Sequence, residues 1–136
     1  MNLWDHLPNA AHIDRVLASV KANPQAWGTA WGAARDAARD AAWDAAQYAA
    51  RGAAWDAAQY AAWDAAWGAA LYAARGAARD AAWGAARGVL LALVAWDDCA
   101  GYLSTPPKAF PLLLSTDNHA ARLLHPAAIV FSKESV

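Results

Sequence analysis

From Ala33 to Gly88 the chain repeats a four-residue unit, Ala-Ala-x-y, fourteen times without interruption. The third position holds only Arg, Trp, Gln or Leu, and the fourth only Asp, Tyr or Gly. Alanine is the strongest helix former, and no proline stands between Pro24 and Pro106, so helix is predicted along this stretch. A period of four conflicts with 3.6 residues per turn, because each tetrad drifts about 40° around the helix. The alanine stripe therefore circles the helix in about nine tetrads. Trp43, Trp55 and Trp67, twelve residues apart, would point about 120° from one another on a straight helix. Either other segments enclose the helix on every side, or it breaks into pieces that pack on each other. An unbroken rod would exceed roughly 100 Å, out of proportion to a domain of this size. The fold class predicted is all-α, a compact bundle of Ala/Trp-rich helices. The glycines at 52, 68, 76, 84 and 88 are the expected breaks, since each costs about 1 kcal/mol in a helix interior.

A chain of 136 residues is read as one domain in three parts. Residues 1–22 form an N-terminal helix, with Ala11, Ile13, Val16, Leu17 and Val20 at helical spacing. Residues 23–88 carry the repeat helices, opened by Asn23 as N-cap and Pro24 at the first helical position. Residues 89–136 form a C-terminal cap, with short helices expected from Pro111 to Ser115, from Asn118 to Leu124, and after Pro126.

Seven tryptophans, at 27, 31, 43, 55, 63, 67 and 83, lie in or just before the repeat. Each can bury on the order of 200 Å², so most are expected in the core, as knobs set among alanine holes. A minority left outside, with tyrosine and arginine, would form a binding surface. The candidate interface or ligand residues are Trp43, Trp55, Trp63, Trp67, Tyr48, Tyr60, Tyr72, Arg51 and Arg75. Arg39, Arg51, Arg75 and Arg87 share a twelve-residue register, as do Tyr48, Tyr60 and Tyr72; duplication of the coding sequence explains this as well as a ligand pitch does.

Charge narrows the partners. The net charge is -1, and the repeat itself balances six Arg (35, 39, 51, 75, 79, 87) against six Asp (36, 40, 44, 56, 64, 80). No basic stripe is present, which argues against non-specific nucleic-acid binding. The most apolar run, Val89 to Trp96, is too short to cross a bilayer, and residues 1–20 lack the features of a secretory signal. A single cysteine, Cys99, excludes an intramolecular disulfide and fits a reducing cytoplasm.

No catalytic constellation, cofactor motif or metal motif is found. Asp97, Asp98 and Cys99 make the densest polar cluster outside the repeat, but adjacent residues on a helix diverge by about 100°. They are read as structural, with Cys99 a small buried hydrophobe in an apolar helix. His6, His12, His119 and His125 would converge only if the chain ends met, and no metal motif supports such a site. No serine lies in a nucleophile elbow and no glycine-rich phosphate loop is present, so a non-enzymatic protein is expected.

The tetrads, followed by Leu91-Ala-Leu-Val-Ala-Trp-Asp-Asp-Cys99 and by Leu123-Leu124-His-Pro-Ala-Ala-Ile-Val130, resemble a group of alanine-rich tetrapeptide-repeat proteins of bacterial phages and prophages. The resemblance spans about residues 33–132 and implies no assigned activity. It implies a phage accessory protein in the cytoplasm of a bacterial host, a non-catalytic binder that inhibits a host defence protein or sequesters its signal. Two alternatives stay open: a structural protein forming a helical oligomer or rod, and a small-nucleotide sponge. The expected partner is thus a host protein, with a second copy of the chain and a small nucleotide as the other partners.

Overall fold

The structure, a computed structural model, describes residues 3–37, 40–56, 59–73, 79–114 and 118–134. Their regular structure is entirely helical: α1 (Ala10–Ala22), α2 (Pro24–Ala37), α3 (Asp40–Asp56), α4 (Tyr60–Ala73), α5 (Arg79–Ala95), α6 (Phe110–Leu114) and α7 (His119–Glu134). Short 3-10 turns at Cys99–Ser104 and Pro107–Ala109 link α5 to α6. The helices form a compact bundle, as the period of four requires, and do not extend as one rod.

Helix α5 is the axis of the bundle. It packs against α1, α2, α3, α4 and α7. From Ala82 to Val94 every residue is buried except Trp83 and Arg87, which are half-buried. A helix apolar on all sides is stable only when surrounded. It runs through Gly88 and Val89 without a break, so Val89–Val94 lies at the centre of the bundle and is continuous with the last tetrads.

Breakage solves the drift problem. In each piece the same register position, the second alanine of the tetrad, faces the core: Ala34 on α2, Ala46, Ala50 and Ala54 on α3, Ala62, Ala66 and Ala70 on α4, and Ala82 and Ala86 on α5. Three tetrads drift by only about 80°, within the apolar arc of an ordinary surface helix. Ala42, one tetrad before Ala46, is already half-buried as the stripe turns off the core. Each new helix resets the phase.

The expected break points need correction. Gly52 lies inside α3, Gly68 inside α4, and Gly84 and Gly88 inside α5; Gly76 lies outside the described residues. Tertiary burial outweighs the modest helix cost of each glycine. At two of them the absent side chain is a packing device. A Cβ at Gly84 would stand 3.2 Å from the Trp31 ring, and one at Gly88 would stand 3.1 Å from the Trp43 ring and 3.4 Å from Leu123. Those two positions are the holes into which the tryptophan knobs fit. The end of α3 is marked instead by the Gln59 N–H, which donates to the Ala54 carbonyl at 2.8 Å and so satisfies one carbonyl of the last turn.

The N-terminal helix is shorter than the span of residues 1–22 expected for it: α1 begins at Ala10, and residues 3–9 form turns and a bend. Helix α2 starts at Pro24, and the Asn23 carbonyl accepts the Trp27 N–H at 3.3 Å. Before α1, Asn9 is buried and its amide donates to the carbonyls of Leu93 (3.0 Å) and Trp96 (2.9 Å), closing the C-terminal end of α5. Buried Trp27 meets the Phe131 ring edge-on at 6.0 Å and donates from Nε1 to Ser19 Oγ, joining α1, α2 and α7.

Two expectations for the C-terminal part are corrected. Pro126 does not separate two helices, because α7 continues through it from His119 to Glu134. A helix-interior proline costs about 3 kcal/mol, and burial of Leu123, Leu124, Val130 and Phe131 exceeds that. Cys99 is buried as expected, but it opens a 3-10 turn four residues after α5 ends.

Candidate binding surface

The repeat places an aromatic column along α3, α4 and α5. Trp55, at the end of α3, meets the Tyr60 ring edge-on at 5.4 Å. Tyr60 opens α4 and meets Trp63, one turn on, at 5.2 Å. Trp63 stacks on Trp67 at 5.6 Å with the rings 3° from parallel, as i and i+4 on one helix allow. Trp67 then stacks on Trp83 of α5 at 5.8 Å. Stacked and edge-on pairs at these separations contribute about 0.5–1.5 kcal/mol each beyond their burial.

Two arginines attend the column. The Arg51 guanidinium lies over the Trp63 ring at 5.7 Å, and that of Arg87 over Trp83 at 5.3 Å. Burial disfavours the charge on Arg87 and lowers its pKa, and repulsion from Arg51 acts in the same direction. The indole N–H groups of Trp63, Trp67 and Trp83 are buried without a hydrogen-bond acceptor.

The outer end of the column is open. Trp55 is 68% exposed and Tyr48 is 81% exposed, whereas Trp63 is 4% exposed. Tyr48, Arg51 and Trp55 stand at i, i+3 and i+7 and so share one face of α3. Between Tyr48 and Trp55 lies Gly52, where an added Cβ would meet nothing within 4 Å. The floor between the two rings is therefore bare helix. Asp44 and Asp56 are exposed on either side of this face.

The sequence candidates divide into four groups, with Tyr48 exposed beside the open end of the column. Trp55, Tyr60, Trp63, Trp67 and Arg51 are brought together by the column. Trp43 is buried against Gly88 and serves packing, while Tyr72, with its neighbour Leu71, is exposed at the end of α4. Arg75 lies outside the described residues. Trp83 and Arg87, absent from the candidates, complete the column. Their signal was legible: Trp-Gly-Ala-Ala-Arg occurs at residues 31–35 and again at 83–87, with each arginine one turn after its tryptophan. In both copies the arginine stacks on that ring, Arg35 over Trp31 at 4.8 Å.

Elsewhere, Trp96, Asp98, Cys99, Tyr102, Asn118 and His119 line an open groove of about 500 Å³. Asp97 and Asp98 point to solvent. The Cys99 thiol donates to the Ala92 carbonyl at 3.3 Å, and burial, with Asp98 next in effect, pushes its pKa up to about 12. A thiol so held is protonated at neutral pH and is not an activated nucleophile. His6 Nε2 lies 3.0 Å from Gln59 Oε1, and His125 is buried and stacked on Phe110 at 4.2 Å. Among the described residues no group of three or more His, Cys, Asp or Glu is placed to hold a metal ion, and no helix is long and apolar enough to cross a membrane. The chain has no match among protein-family models, curated proteins or solved structures.

Proposed function

We propose that this chain is a non-catalytic binding protein that engages another protein through the Tyr48–Arg51–Trp55 face of α3. In biological terms it is a phage or prophage accessory protein whose target is a protein of the bacterial host. The observation that carries the reading is the exposure of Tyr48 and Trp55 on one helix face, at a point where most other tryptophans of the repeat are covered. Tyrosine, tryptophan and arginine are the residues that dominate binding hot spots. Flanking Asp44 and Asp56 offset Arg51, which favours a protein partner over a nucleic acid. Trp55 is also braced from behind by Tyr60, so its ring is presented with little conformational freedom to lose on binding.

Affinity capture from host lysate tests this with three proteins: the native chain, Tyr48→Ser/Trp55→Ser, and Leu112→Ser as an exposed apolar control. The double variant is expected to keep the fold, giving up about 0.5–1.5 kcal/mol with the Trp55–Tyr60 contact, and to lose the captured partner, by roughly 30-fold or more in affinity if both rings are hot spots. The control retains it. A captured set identical for the native chain and the double variant overturns the assignment. If the native chain is a dimer in light scattering and the double variant a monomer, the face is a contact between copies and the host-protein reading fails.

A further inference from the structure

We propose that the aromatic column conducts oxidising equivalents: an electron vacancy formed on its inner tryptophans, Trp67 or Trp83, moves outward and settles on the Tyr60–Trp55 pair. The column is then a path for electrons as well as a packing device. Transfer of this kind takes place within one chain and does not depend on the outer face of α3 having a partner.

The path is continuous. Trp55, Tyr60, Trp63, Trp67 and Trp83 follow one another with ring centroids 5.4, 5.2, 5.6 and 5.8 Å apart. Indole and phenol give up one electron more readily than the other aromatic side chains, and electron transfer between them weakens exponentially with distance. With no step longer than 5.8 Å, each ring is in near contact with the next. Trp67 and Trp83 are half-buried, close enough to solvent for a small oxidant to act on them.

Three features give the path a direction. A tryptophan that loses an electron becomes a radical cation, which is stabilised when its indole N–H proton leaves to an acceptor. The N–H groups of Trp63, Trp67 and Trp83 are buried with no acceptor among the described residues, so a vacancy there keeps its positive charge in the interior, at a cost. Arg51 lies over Trp63 at 5.7 Å and Arg87 over Trp83 at 5.3 Å. A guanidinium that favours the neutral ring opposes the oxidised one, because two positive charges at that distance repel. At the outer end Trp55 is 68% exposed, so its proton passes to water. Tyr60, on the way, gives up its phenol proton with its electron and regains the electron from Trp55 and the proton from water. In sum, one electron leaves the column for a one-electron oxidant, one proton leaves for water, and a neutral radical is shared by Trp55 and Tyr60. Damage is thereby drawn away from the Trp67–Trp83 stack that joins α4 to α5.

Azide radicals made by pulse radiolysis take one electron from indole, becoming azide anions, and test the path. Peptide mass spectrometry then locates the oxidised residues. In the native chain the product is expected at Trp55 and Tyr60, with Trp67 and Trp83 spared, and the radical is expected to move at a rate independent of protein concentration. Tyr60→Phe keeps the ring contacts and removes the oxidisable phenol. It is expected to raise the product at Trp67 and Trp83 several-fold with little change in melting temperature. Ring exposure alone predicts no such rise, because the phenyl ring covers the same neighbours. In Trp55→Phe, a change at an exposed position, the vacancy is expected to stop at Tyr60 and give a longer-lived phenoxyl absorption. Equal yields at Trp67 and Trp83 in the native chain and Tyr60→Phe overturn the proposal. So does a transfer rate that rises with protein concentration, or a phenoxyl signal in Trp55→Phe identical to that of the native chain.

Discussion

Gly52 and Gly88 occupy the same position in identical Ala-Ala-Arg-Gly tetrads, yet their substitution has opposite expected outcomes. At Gly52 a methyl group meets open space, so Gly52→Ala removes only the entropic handicap of glycine and is expected to stabilise the protein by about 0.5–1 kcal/mol. At Gly88 the same methyl group stands 3.1 Å from the ring of Trp43, which is itself buried and has nowhere to retreat. Overpacking of that kind costs about 1–3 kcal/mol, so Gly88→Ala is expected to destabilise in spite of its better helix propensity. Urea unfolding of the two variants checks the pair. Equal signs would mean that the knob-and-hole contact is not what holds α3 to α5. The difference was invisible in the tetrads, where all glycines looked like breakers. What separates them is whether a tryptophan from another helix arrives, and sequence spacing does not carry that information.

Within an element, the two alanines of a tetrad are chemically identical but structurally distinct. On α3, Ala45 is exposed and Ala46 is fully buried. Ala46→Leu forces about three extra carbons into an occupied interface and is expected to cost about 1–3 kcal/mol or more. Ala45→Leu is expected to stay within about 0.5 kcal/mol of the native chain. Comparing their unfolding midpoints tests whether the second alanine is the core position; equal losses would contradict the register. Helix identity and the start at Pro24 were legible because alanine content and Asn-Pro chemistry are local. The need for breakage was legible too, from the mismatch between four and 3.6. The sites of breakage were not, nor was the continuity of α7 through Pro126, since both depend on how much surface each helix buries against the others. The aromatic column was half legible: Tyr60, Trp63 and Trp67 lie within one helix, but Trp83 joins only because α4 packs on α5.

At the scale of the whole molecule, the bundle carries a titrating group in its interior. His125 is buried on α7 and stacked on Phe110, and burial lowers its pKa from the ordinary histidine value. The unfolded chain therefore binds a proton at His125 more readily than the folded one. The stability from keeping this ring neutral is complete above about pH 6.5 and is lost as the pH falls through the lowered folded value. Global stability is expected to decline on acidification from pH 7 with a slope of at most about 1.4 kcal/mol per pH unit from this residue. His125→Phe keeps the ring contact and removes the proton, so the variant is expected to show a flatter profile in urea titrations between pH 7 and pH 5. An unchanged slope would assign the acid sensitivity to other groups.

The resetting of phase at each helix break has a further consequence, for how such a chain changes length. Adding a whole tetrad beside a break lengthens one rod by about 6 Å and rotates its end by about 40°. The new second alanine then lies within, or at the edge of, the arc already facing α5. Lengthening by one, two or three residues would instead swing every later alanine off the contact. Copy number is thus a variable that the architecture can absorb one unit at a time. The reach of each helix beyond the central one is set by counting tetrads, while the residues that meet α5 stay the same.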